Sequence, residues 1–444
     1  MVTSNKTHKE QYKEVFRLLK KHHNWFANSI PLIASENITS PAVREAFISD
    51  LANRYAEGWP GERVYAGCSL AIDPIELTCI ELAKRLFRAE FVDVRPVSGV
   101  CANLSVYSAF TNPNDRLLAL AIPSGGHISS GKKEFSGTAG LVHGLRTEYF
   151  AYDKDEMNID VDKTKEKVKK MVEEENDPPK MAMFGGSLFL FPHPVKELAD
   201  FLKSYGIFVC YDSAHVSGLI AGDQFQDPLR EGAEAVTLST HKTLPGPQGG
   251  TILSFDKYAE QIKKAVFPGN TSNHHLHSVA AKAIVFAEMI EFGKDYAAQI
   301  VKNAKTLAQT LSDKGVTILG EKNGFTKSHQ IALDINKYGD GGTLEKELEK
   351  ANIIANRQLL PGDIAAGRHY MHPGGLRFGT QEVTRLGMKQ SEMKEIADLV
   401  IRIIVKKEEP AKVKRDVIIM RKRFQKVRYA FDTRRDAYDY IRIR

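Results

Sequence analysis

The sequence lacks the features that mark secreted, disulfide-linked and membrane-spanning proteins. Its 444 residues include only four cysteines, and no two of them form a Cys-x-x-Cys pair, so neither a disulfide framework nor a zinc site of that kind is predicted. No apolar run reaches the ~20 residues that cross a bilayer, and the N-terminal residues contain no apolar signal-peptide core. We therefore expect a cytoplasmic protein with reduced thiols and no membrane contact.

Internal repeats and low-complexity segments are absent as well. The composition, 42% hydrophobic and 26% charged, is typical of a globular protein and disfavours a disordered or fibrous chain. Because a single core rarely extends over 444 residues, the length predicts two domains and a smaller extension.

Positive charge is concentrated at the C-terminal end. Between Lys406 and Arg444, fourteen lysines and arginines stand against six aspartates and glutamates, a net charge of +8, whereas the whole chain carries +7. Such a tail can bind a polyanion, but a solvated amphipathic helix followed by a surface strand explains it more simply, and we expect no nucleic-acid partner. Five interleaved aromatic residues suit packing onto the protein body as well as stacking on bases: Phe424, Tyr429, Phe431, Tyr438 and Tyr440.

The order of apolar segments predicts an α/β fold. An amphipathic helix is predicted over 8–27, and strands then alternate with helix-length segments, which indicates a largely parallel sheet. The strands are predicted at 116–121, 180–184, 206–211, 233–239 and 251–254, with helices at 160–175 and 194–205. Two further helices are predicted at 278–292 and 295–314. From about residue 290 a smaller α+β domain is predicted, with strands at 331–335 and 375–378 and a helix at 343–351.

Two predicted strands end in charged residues that do not belong in a core. Asp212 follows Ile207–Tyr211, and Lys242 follows Ala235–His241. A desolvated lysine has a lowered pKa and becomes a nucleophilic amine. Combined with an aspartate that keeps a pyridinium nitrogen protonated, it is typical of pyridoxal-phosphate enzymes. The alternative is that Asp212 caps a helix and Lys242 lies in a surface turn. If only one of the two residues were considered, this structural explanation would be favoured.

Two glycine-containing segments are candidates for the rest of a cofactor site. Ser98 and Gly99 precede the helix-like segment 101–110 and could cradle a phosphate, although an ordinary N-cap has the same pattern. His127 follows two glycines, and its ring could stack on a cofactor, although most histidines in such loops are ordinary loop residues.

Taken together, these features resemble the serine hydroxymethyltransferases. The resemblance extends from about Leu32 to Met388. It rests on long strings in the family's order: Leu32-Ile33-Ala34-Ser35-Glu36-Asn37, Asn53-Arg54-Tyr55-Ala56-Glu57-Gly58, Pro60-Gly61-Glu62-Arg63-Val64-Tyr65, Asp212-Ser213-Ala214-His215 and Thr240-His241-Lys242-Thr243-Leu244. It implies the fold type I class of pyridoxal-phosphate transferases. The expected layout is an N-terminal helical arm (1–30), a large domain with a mostly parallel central sheet between helices (31–290), and a small C-terminal α+β domain with the basic tail (291–444).

The resemblance also implies residue roles. Lys242 is implied as the Schiff-base lysine, Asp212 as the partner of the pyridine nitrogen, and His127 as the residue stacked on the ring. The remaining cofactor contacts are expected from Ser98, Gly99, Ser187, His215, His241 and Tyr55. Substrate contacts are expected from Ser35, Arg377, Glu57, Tyr65 and Gln358, with Arg377 binding the carboxylate. Lys242, Glu57, Tyr65 and His127 are the expected catalytic residues. Tyr55, Glu57 and Tyr65 are expected to come from a neighbouring subunit, which implies a homodimer.

Several positions depart from the common family pattern. Val100 follows Ser98-Gly99 where a hydroxyl residue is usual, Val64 precedes Tyr65 where a tyrosine is usual, and Gln358 stands in place of an asparagine. Ser272 and Asn273 lie in a loop that is usually glycine-rich. These changes resemble the archaeal branch of the family, so the expected one-carbon carrier is a reduced pterin, either tetrahydrofolate or tetrahydromethanopterin.

Three neighbouring histidines could be interpreted as metal ligands, an interpretation that we set aside. His274, His275 and His277 lack a carboxylate or cysteine at a suitable spacing, and no metal site is predicted.

Two alternative functions remain open. A threonine or allothreonine aldolase would use the same cofactor without a pterin. A catalytically silent, RNA-binding relative is disfavoured because Lys242, Asp212, His127 and Arg377 are all present.

Overall fold

A computed structural model describes residues 6–440 of the chain. Its strands are β1 (Ile30–Pro31), β2 (Phe91–Asp93), β3 (Arg116–Ala119), β4 (Arg146–Tyr149), β5 (Tyr152–Asp153), β6 (Asn158–Ile159), β7 (Met181–Gly185), β8 (Phe208–Asp212), β9 (Ala235–Ser239), β10 (Gly250–Ser254), β11 (Thr317–Ile318), β12 (Gln330–Asp334), β13 (Ile353–Ile354), β14 (Asn356–Gln358) and β15 (Gly375–Gly379). Its α-helices are α1 (His8–Ala27), α2 (Pro41–Phe47), α3 (Ile72–Phe87), α4 (Gly99–Phe110), α5 (Thr138–Val142), α6 (Val161–Lys169), α7 (Val195–Ser204), α8 (Ser217–Ala221), α9 (Ala259–Lys264), α10 (Leu276–Asp313), α11 (Gly341–Lys350), α12 (Gln381–Arg385), α13 (Gln390–Ile404) and α14 (Pro410–Arg421).

A seven-stranded sheet forms the centre of the molecule, in the order β2-β10-β9-β8-β7-β3-β4. Pairing is parallel from β9 to β4, while β10 runs antiparallel to both of its neighbours. The predicted α/β fold with a mostly parallel sheet is therefore confirmed. Because β8 and β9 are adjacent and parallel, their carboxyl ends meet at one edge, which is where such sheets bind ligands.

Helices cover both faces of this sheet. One apolar cluster packs residues of α3, α7, α8 and α10 against the sheet, and another packs residues of α4 and α9 against its opposite face. Strands β7, β9 and β10 are buried along their whole length, which explains why their sequences are continuously apolar rather than alternating.

A second, antiparallel sheet lies further along the chain in the order β11-β12-β15-β14. Its apolar residues pack with α11, α13, α14 and the C-terminal half of α10. Arg377 lies at the middle of β15 and is paired across the sheet with Asn356 of β14.

The prediction of two helices at 278–292 and 295–314 was wrong, because α10 is one uninterrupted helix of 38 residues. The predicted gap falls at Gly293. Here the glycine does not mark a turn. Its carbonyl oxygen lies against Gly222, which follows α8, and a Cβ added to Gly222 would lie 2.5 Å from that oxygen. The close approach of the two backbones therefore accounts for the glycine at position 222.

The N-terminal helix was predicted correctly and begins with a capping box between Thr7 and Glu10. None of its residues is buried, and Tyr12, Val15 and Leu19 are all exposed.

The C-terminal tail differs from the prediction. Helix α14 is present, but no surface strand follows it within residues 422–440, where an isolated bridge joins Lys426 to Asp436. The segment instead packs on the body, with the Tyr438 hydroxyl donating to Glu382 at 2.7 Å. Residues 1–5 of the predicted arm and 441–444 of the tail lie outside the described part of the chain. Over residues 6–440, no helix combines the length and apolarity needed to cross a membrane.

Candidate active site

Asp212 ends β8 as a buried carboxylate held by neutral donors. Its Oδ2 accepts from the Asn103 side-chain amide at 2.8 Å, and its Oδ1 accepts from the Ala214 backbone at 3.0 Å. Asn103 is oriented in turn by Thr237 of β9, which donates to its amide oxygen at 2.6 Å. The carboxylate is thus positioned by neutral donors and has no cationic hydrogen-bond partner among the described residues.

Lys242 lies on the loop that follows β9 and is only 9% exposed. Its Nζ is 3.4 Å from Ser239 Oγ, and its carbonyl accepts from the Asn37 side chain at 2.5 Å. Burial lowers the pKa of Lys242 to about 8, with Arg377 acting in the same direction and Asp212 opposing. The amine is therefore far closer to its nucleophilic, neutral form than a surface lysine.

His127 is connected to Asp212 through Ser129 and Asn103. Asn103 donates to Ser129 Oγ at 2.9 Å, and this hydroxyl lies 2.7 Å from His127 Nδ1. The Ser129 backbone N–H also donates to Nδ1 at 3.1 Å, so Nδ1 is an acceptor and the proton of the neutral ring lies on Nε2. Burial lowers the pKa of His127, with Asp212 opposing, so the ring is a neutral, flat surface beside the carboxylate.

His215 is held by Gln330 of the second sheet. The Gln330 amide nitrogen donates to His215 Nδ1 at 2.8 Å and to the Ser187 carbonyl at 2.9 Å. Burial lowers the pKa of His215 well below its ordinary value, and Lys242 and Arg377 add to the effect. The neutral ring therefore carries its proton on Nε2 as a free donor.

Arg377 projects from β15 and is buried without a carboxylate partner among the described residues. Nη1 donates to the Ser187 carbonyl at 2.6 Å, while Nε and Nη2 lie 3.4 Å from Asn356 Oδ1. Burial lowers its pKa to about 10. A buried guanidinium with only neutral acceptors is suited to a carboxylate ligand.

The N-terminus of α4 approaches the lysine through Ser239. Ser98 caps the helix, its hydroxyl accepting from Cys101 at 3.1 Å, while the Gly99 and Val100 amides have no acceptor in the described structure. A Cβ on Gly99 would lie 2.3 Å from Ser239 Oγ, so a larger residue there would displace the Ser239 hydroxyl. Two free amides at a helix start form an anion-binding site.

Two further predicted residues, Ser35 and His241, lie at the edge of the strand-end site. Ser35 lies in a turn that Gln381 holds through the Ile33 and Glu36 carbonyls, at 2.7 and 2.6 Å. Ser35 and His241 also line an adjoining cavity of about 730 Å³. Burial lowers the pKa of His241 to about 4, and its Nδ1 has no hydrogen-bond partner.

Gln358 is close in sequence to Asn356, which supports Arg377, but is not hydrogen-bonded to Asn356 among the described residues. It ends β14, two residues after Asn356, and its amide donates to the Leu359 carbonyl at 2.9 Å.

Tyr55, Glu57 and Tyr65 form a separate cluster. The two tyrosine rings are 4.9 Å apart and remain 49% and 44% exposed. Glu57 accepts a hydrogen bond from Ser272. Across residues 6–440, no hydrogen bond or ion pair links the three to Lys242, Asp212 or Arg377. The chain therefore brings together the strand-end residues but leaves this cluster apart.

These groups fit pyridoxal phosphate. A protonated pyridine nitrogen matches the buried Asp212 carboxylate, an aldehyde matches the Lys242 amine, and a phosphate matches the free amides at Gly99 and Val100. Among the described residues, no three His, Cys, Asp or Glu side chains group as metal ligands.

Sequence reasoning missed three residues that organise the site. Asn103 holds Asp212, Ser239 lies between Lys242 and Gly99, and Gln330 holds His215. Asn103 and Gln330 lie more than 100 positions from their partners. Only Ser239, three residues before Lys242, carried a local signal.

Comparisons with known proteins agree over almost the whole chain. A family model described as serine hydroxymethyltransferase matches residues 8–400. The serine hydroxymethyltransferase of Nitrosopumilus maritimus is 63% identical over 98% of this chain and 99% of its own length. That of Cenarchaeum symbiosum is 61% identical over 99% of both chains, and that of Methanopyrus kandleri is 49% identical over 98% of both.

Proposed function

The chain belongs to the serine hydroxymethyltransferase family of pyridoxal-phosphate enzymes, and from this premise we propose how its residues convert L-serine and a reduced pterin reversibly to glycine and the methylene-pterin. The observation that carries the proposal is the buried pair Lys242 and Asp212 at adjacent strand ends, with the unpaired Arg377 beside them. A lysine, an aspartate and a carboxylate-binding arginine are the groups that amino-acid chemistry on this cofactor requires.

The residues of the strand ends hold the cofactor. With pyridoxal phosphate bound, Lys242 would bond to its aldehyde, Asp212 would hold a proton at its ring nitrogen, and His127 would stack on its ring. Ser98, Gly99, Ser187, His215, His241 and Tyr55 complete its surroundings. When bound, pyridoxal phosphate stabilises negative charge that develops at the substrate α-carbon.

Arg377 binds the substrate carboxylate through its planar fork, assisted by Ser35. The support from Ser187 and Asn356 holds the guanidinium before substrate arrives, so little side-chain entropy is lost on binding.

Glu57 transfers the proton at the substrate hydroxyl, with Tyr65 beside it. A carboxyl can serve as general acid in one direction of the reaction and as general base in the other. Gln358 contacts the pterin.

The active unit is a homodimer in which Tyr55, Glu57 and Tyr65 serve the neighbouring subunit. Two observations support this: Tyr55 and Tyr65 are exposed while Glu57 is half-buried, and none of the three bonds to the strand-end site of its own chain over residues 6–440. We further propose a cytoplasmic enzyme with an arm at 1–30, a large domain at 31–290 and a small domain at 291–444. The two separate sheets and their separate apolar clusters support the division.

One experiment tests the function and identifies the carrier. Exchange of the glycine α-proton and the visible absorbance of the purified protein are measured with tetrahydrofolate and then with tetrahydromethanopterin. Strong stimulation by one pterin is expected. A yellow protein that ignores both pterins and cleaves allothreonine would instead be the aldolase.

A further inference from the structure

Two loops meet at the cluster that contains Glu57. The Glu57 loop spans residues 54–65, and the Ser272 loop spans residues 270–275. Asn273 bridges them, because its side chain accepts from the Ala56 amide at 2.9 Å and donates to the Arg54 carbonyl at 2.9 Å. Ser272 donates to Glu57 itself. The carboxylate is thus held from both loops.

His274 continues the Ser272 loop into the interior and is only 2% exposed. Its Nε2 lies 2.7 Å from Glu76 Oε2, and Glu76 is 1% exposed. The same carboxylate oxygen accepts from Arg63 Nη2 at 2.9 Å. Glu76 therefore receives one donor from each loop.

Arg63 connects this buried carboxylate back to the Glu57 backbone. Its Nη1 donates to the Ala56 carbonyl at 2.8 Å and to the Gly58 carbonyl at 2.7 Å, one on each side of Glu57. Its Nε is bonded to Asp73 at 2.8 Å. A continuous set of hydrogen bonds therefore leads from His274 through Glu76 and Arg63 to the residues flanking Glu57.

Loss of the His274 donor would leave the buried Glu76 carboxylate with too few hydrogen-bond donors. Glu76 Oε1 already lacks a hydrogen-bond partner. Without His274, a buried carboxylate would depend on Arg63 alone, and such a group is satisfied by drawing its remaining donor closer or by admitting water. Either response moves Arg63, and with it the backbone on both sides of Glu57.

We propose that His274 is a positioning residue for the hydroxymethyl transfer step, acting through Glu76 and Arg63 to hold Glu57 and Tyr65 in place. The proposal rests on the proposed function, which assigns Glu57 and Tyr65 to the substrate. His274 touches neither cofactor nor substrate in this role.

The test compares His274→Leu with His275→Leu, an exposed neighbour in the same loop. Two rates are measured in each: exchange of the glycine α-proton, which depends on the strand-end residues, and hydroxymethyl transfer from serine to the pterin, which also needs Glu57. Because small misplacements of a reacting group are costly, we expect His274→Leu to lower kcat for transfer by about tenfold or more. Proton exchange and the KM for serine should change less than about threefold, and His275→Leu should match wild type.

A second readout follows the loop directly. The chain has two tryptophans, and Trp59 lies in the Glu57 loop, stacked on Phe91 at 6.0 Å. In a Trp25→Phe background, His274→Leu should make Trp59 fluorescence more accessible to a quencher, and His274→Gln, which can still donate to Glu76, should restore both fluorescence and transfer. Should the leucine variant fail to fold, His274→Asn, which is polar but too short to reach Glu76, carries the same expectation.

The outcomes separate the two proposals. A wild-type protein with no pterin-dependent transfer overturns the proposed function. An active wild type with His274→Leu equal to His275→Leu overturns the role of His274, and so does an equal fall in transfer and proton exchange, which would indicate a general loss of folded protein.

Discussion

At the scale of single residues, the strand-end site carries an unbalanced charge. Lys242 and Arg377 are both buried cations; among the described residues, Asp212 is the carboxylate that opposes the lowering of the Lys242 pKa, and none does so for Arg377. Burial disfavours both cations, so anions that enter the site are bound strongly. A phosphate at the α4 N-terminus and a substrate carboxylate at Arg377 restore the balance.

This arrangement predicts that Arg377→Lys impairs substrate binding rather than folding. A lysine keeps the charge but loses one of two parallel hydrogen bonds to the carboxylate, which is worth about 1.5–3 kcal/mol. We expect the KM for serine to rise roughly tenfold to a hundredfold. Arg357→Lys, on the neighbouring strand, is the matched control, and an equal effect in both variants would contradict the role of Arg377.

The sequence predicted those site residues that lie in recognisable strings and missed those that act only through the fold. Asp212 ends a strand, Arg377 occupies one and Lys242 follows one by three residues, so their roles could be expected from sequence. Asn103 and Gln330 acquire their roles because distant segments are brought together, and a lone polar side chain in a helix or strand carries no signal of that kind.

At the scale of elements, the contact between α10 and the end of α8 depends on Gly222 rather than on Gly293. A Cβ at Gly222 would lie 2.5 Å from both the Gly293 oxygen and the Ala297 Cβ, whereas a Cβ at Gly293 would meet only the flexible end of Met289 at 2.9 Å. The two positions differ because only the first is opposed by backbone.

We therefore expect Gly222→Ala to destabilise the protein by about 1–3 kcal/mol through overpacking. Gly293→Ala should be close to neutral, since alanine favours a helix by about 1 kcal/mol and this offsets the adjustment of Met289. Thermal unfolding of both variants provides the measurement. If Gly293→Ala is the more damaging of the two, the packing argument is wrong.

At the scale of the whole molecule, the basic tail is part of the folded body. Arg44 donates to the Ala437 carbonyl at 2.5 Å, Tyr440 stacks on His23 with ring centroids 4.3 Å apart, and Tyr438 bonds to the buried Glu382. Several basic residues of the tail form ion pairs with the protein body: Arg423 with Glu395, and Arg435 with Glu45. Four of the five aromatic residues, Phe424, Tyr429, Tyr438 and Tyr440, thus follow the packing interpretation, whereas Phe431 is 64% exposed.

The contact between the tail and Glu382 predicts a pH-dependent stability. Burial raises the pKa of Glu382 from 4.5 to about 7, although the Tyr438 hydrogen bond opposes it. The folded protein therefore keeps a proton that the unfolded chain releases. This contribution to stability is complete below about pH 4.5 and is lost as the pH rises through about 7.

Glu382→Gln should remove this dependence. Between about pH 5 and pH 8, the Tm of the wild type should fall relative to that of the variant, by the equivalent of up to about 3 kcal/mol. Glu395→Gln, at an exposed position, should follow the wild-type curve. Parallel curves for all three proteins would show that Glu382 keeps the same proton occupancy in both states.

The sequence was informative about the architecture wherever apolar periodicity was strong. The central strands were predicted to within one or two residues at most ends, because burial on both faces leaves a continuous apolar run, and α1 was predicted from the spacing of its apolar residues. The join inside α10 and the tail were mispredicted because neither a glycine inside a continuous helix nor a coil held by side-chain hydrogen bonds has a periodicity that marks it.

The continuity of α10 also has a mechanical consequence. This single rod, roughly 57 Å long at 1.5 Å per residue, supplies core residues to both sheets, one of which carries Lys242 at its edge and the other Arg377. A break at Gly293 would have made a hinge about which the two sheets could move toward each other. Because the helix is unbroken and resists bending, the distance between Lys242 and Arg377 is set when the protein folds. The substrate therefore enters a site whose width is already fixed.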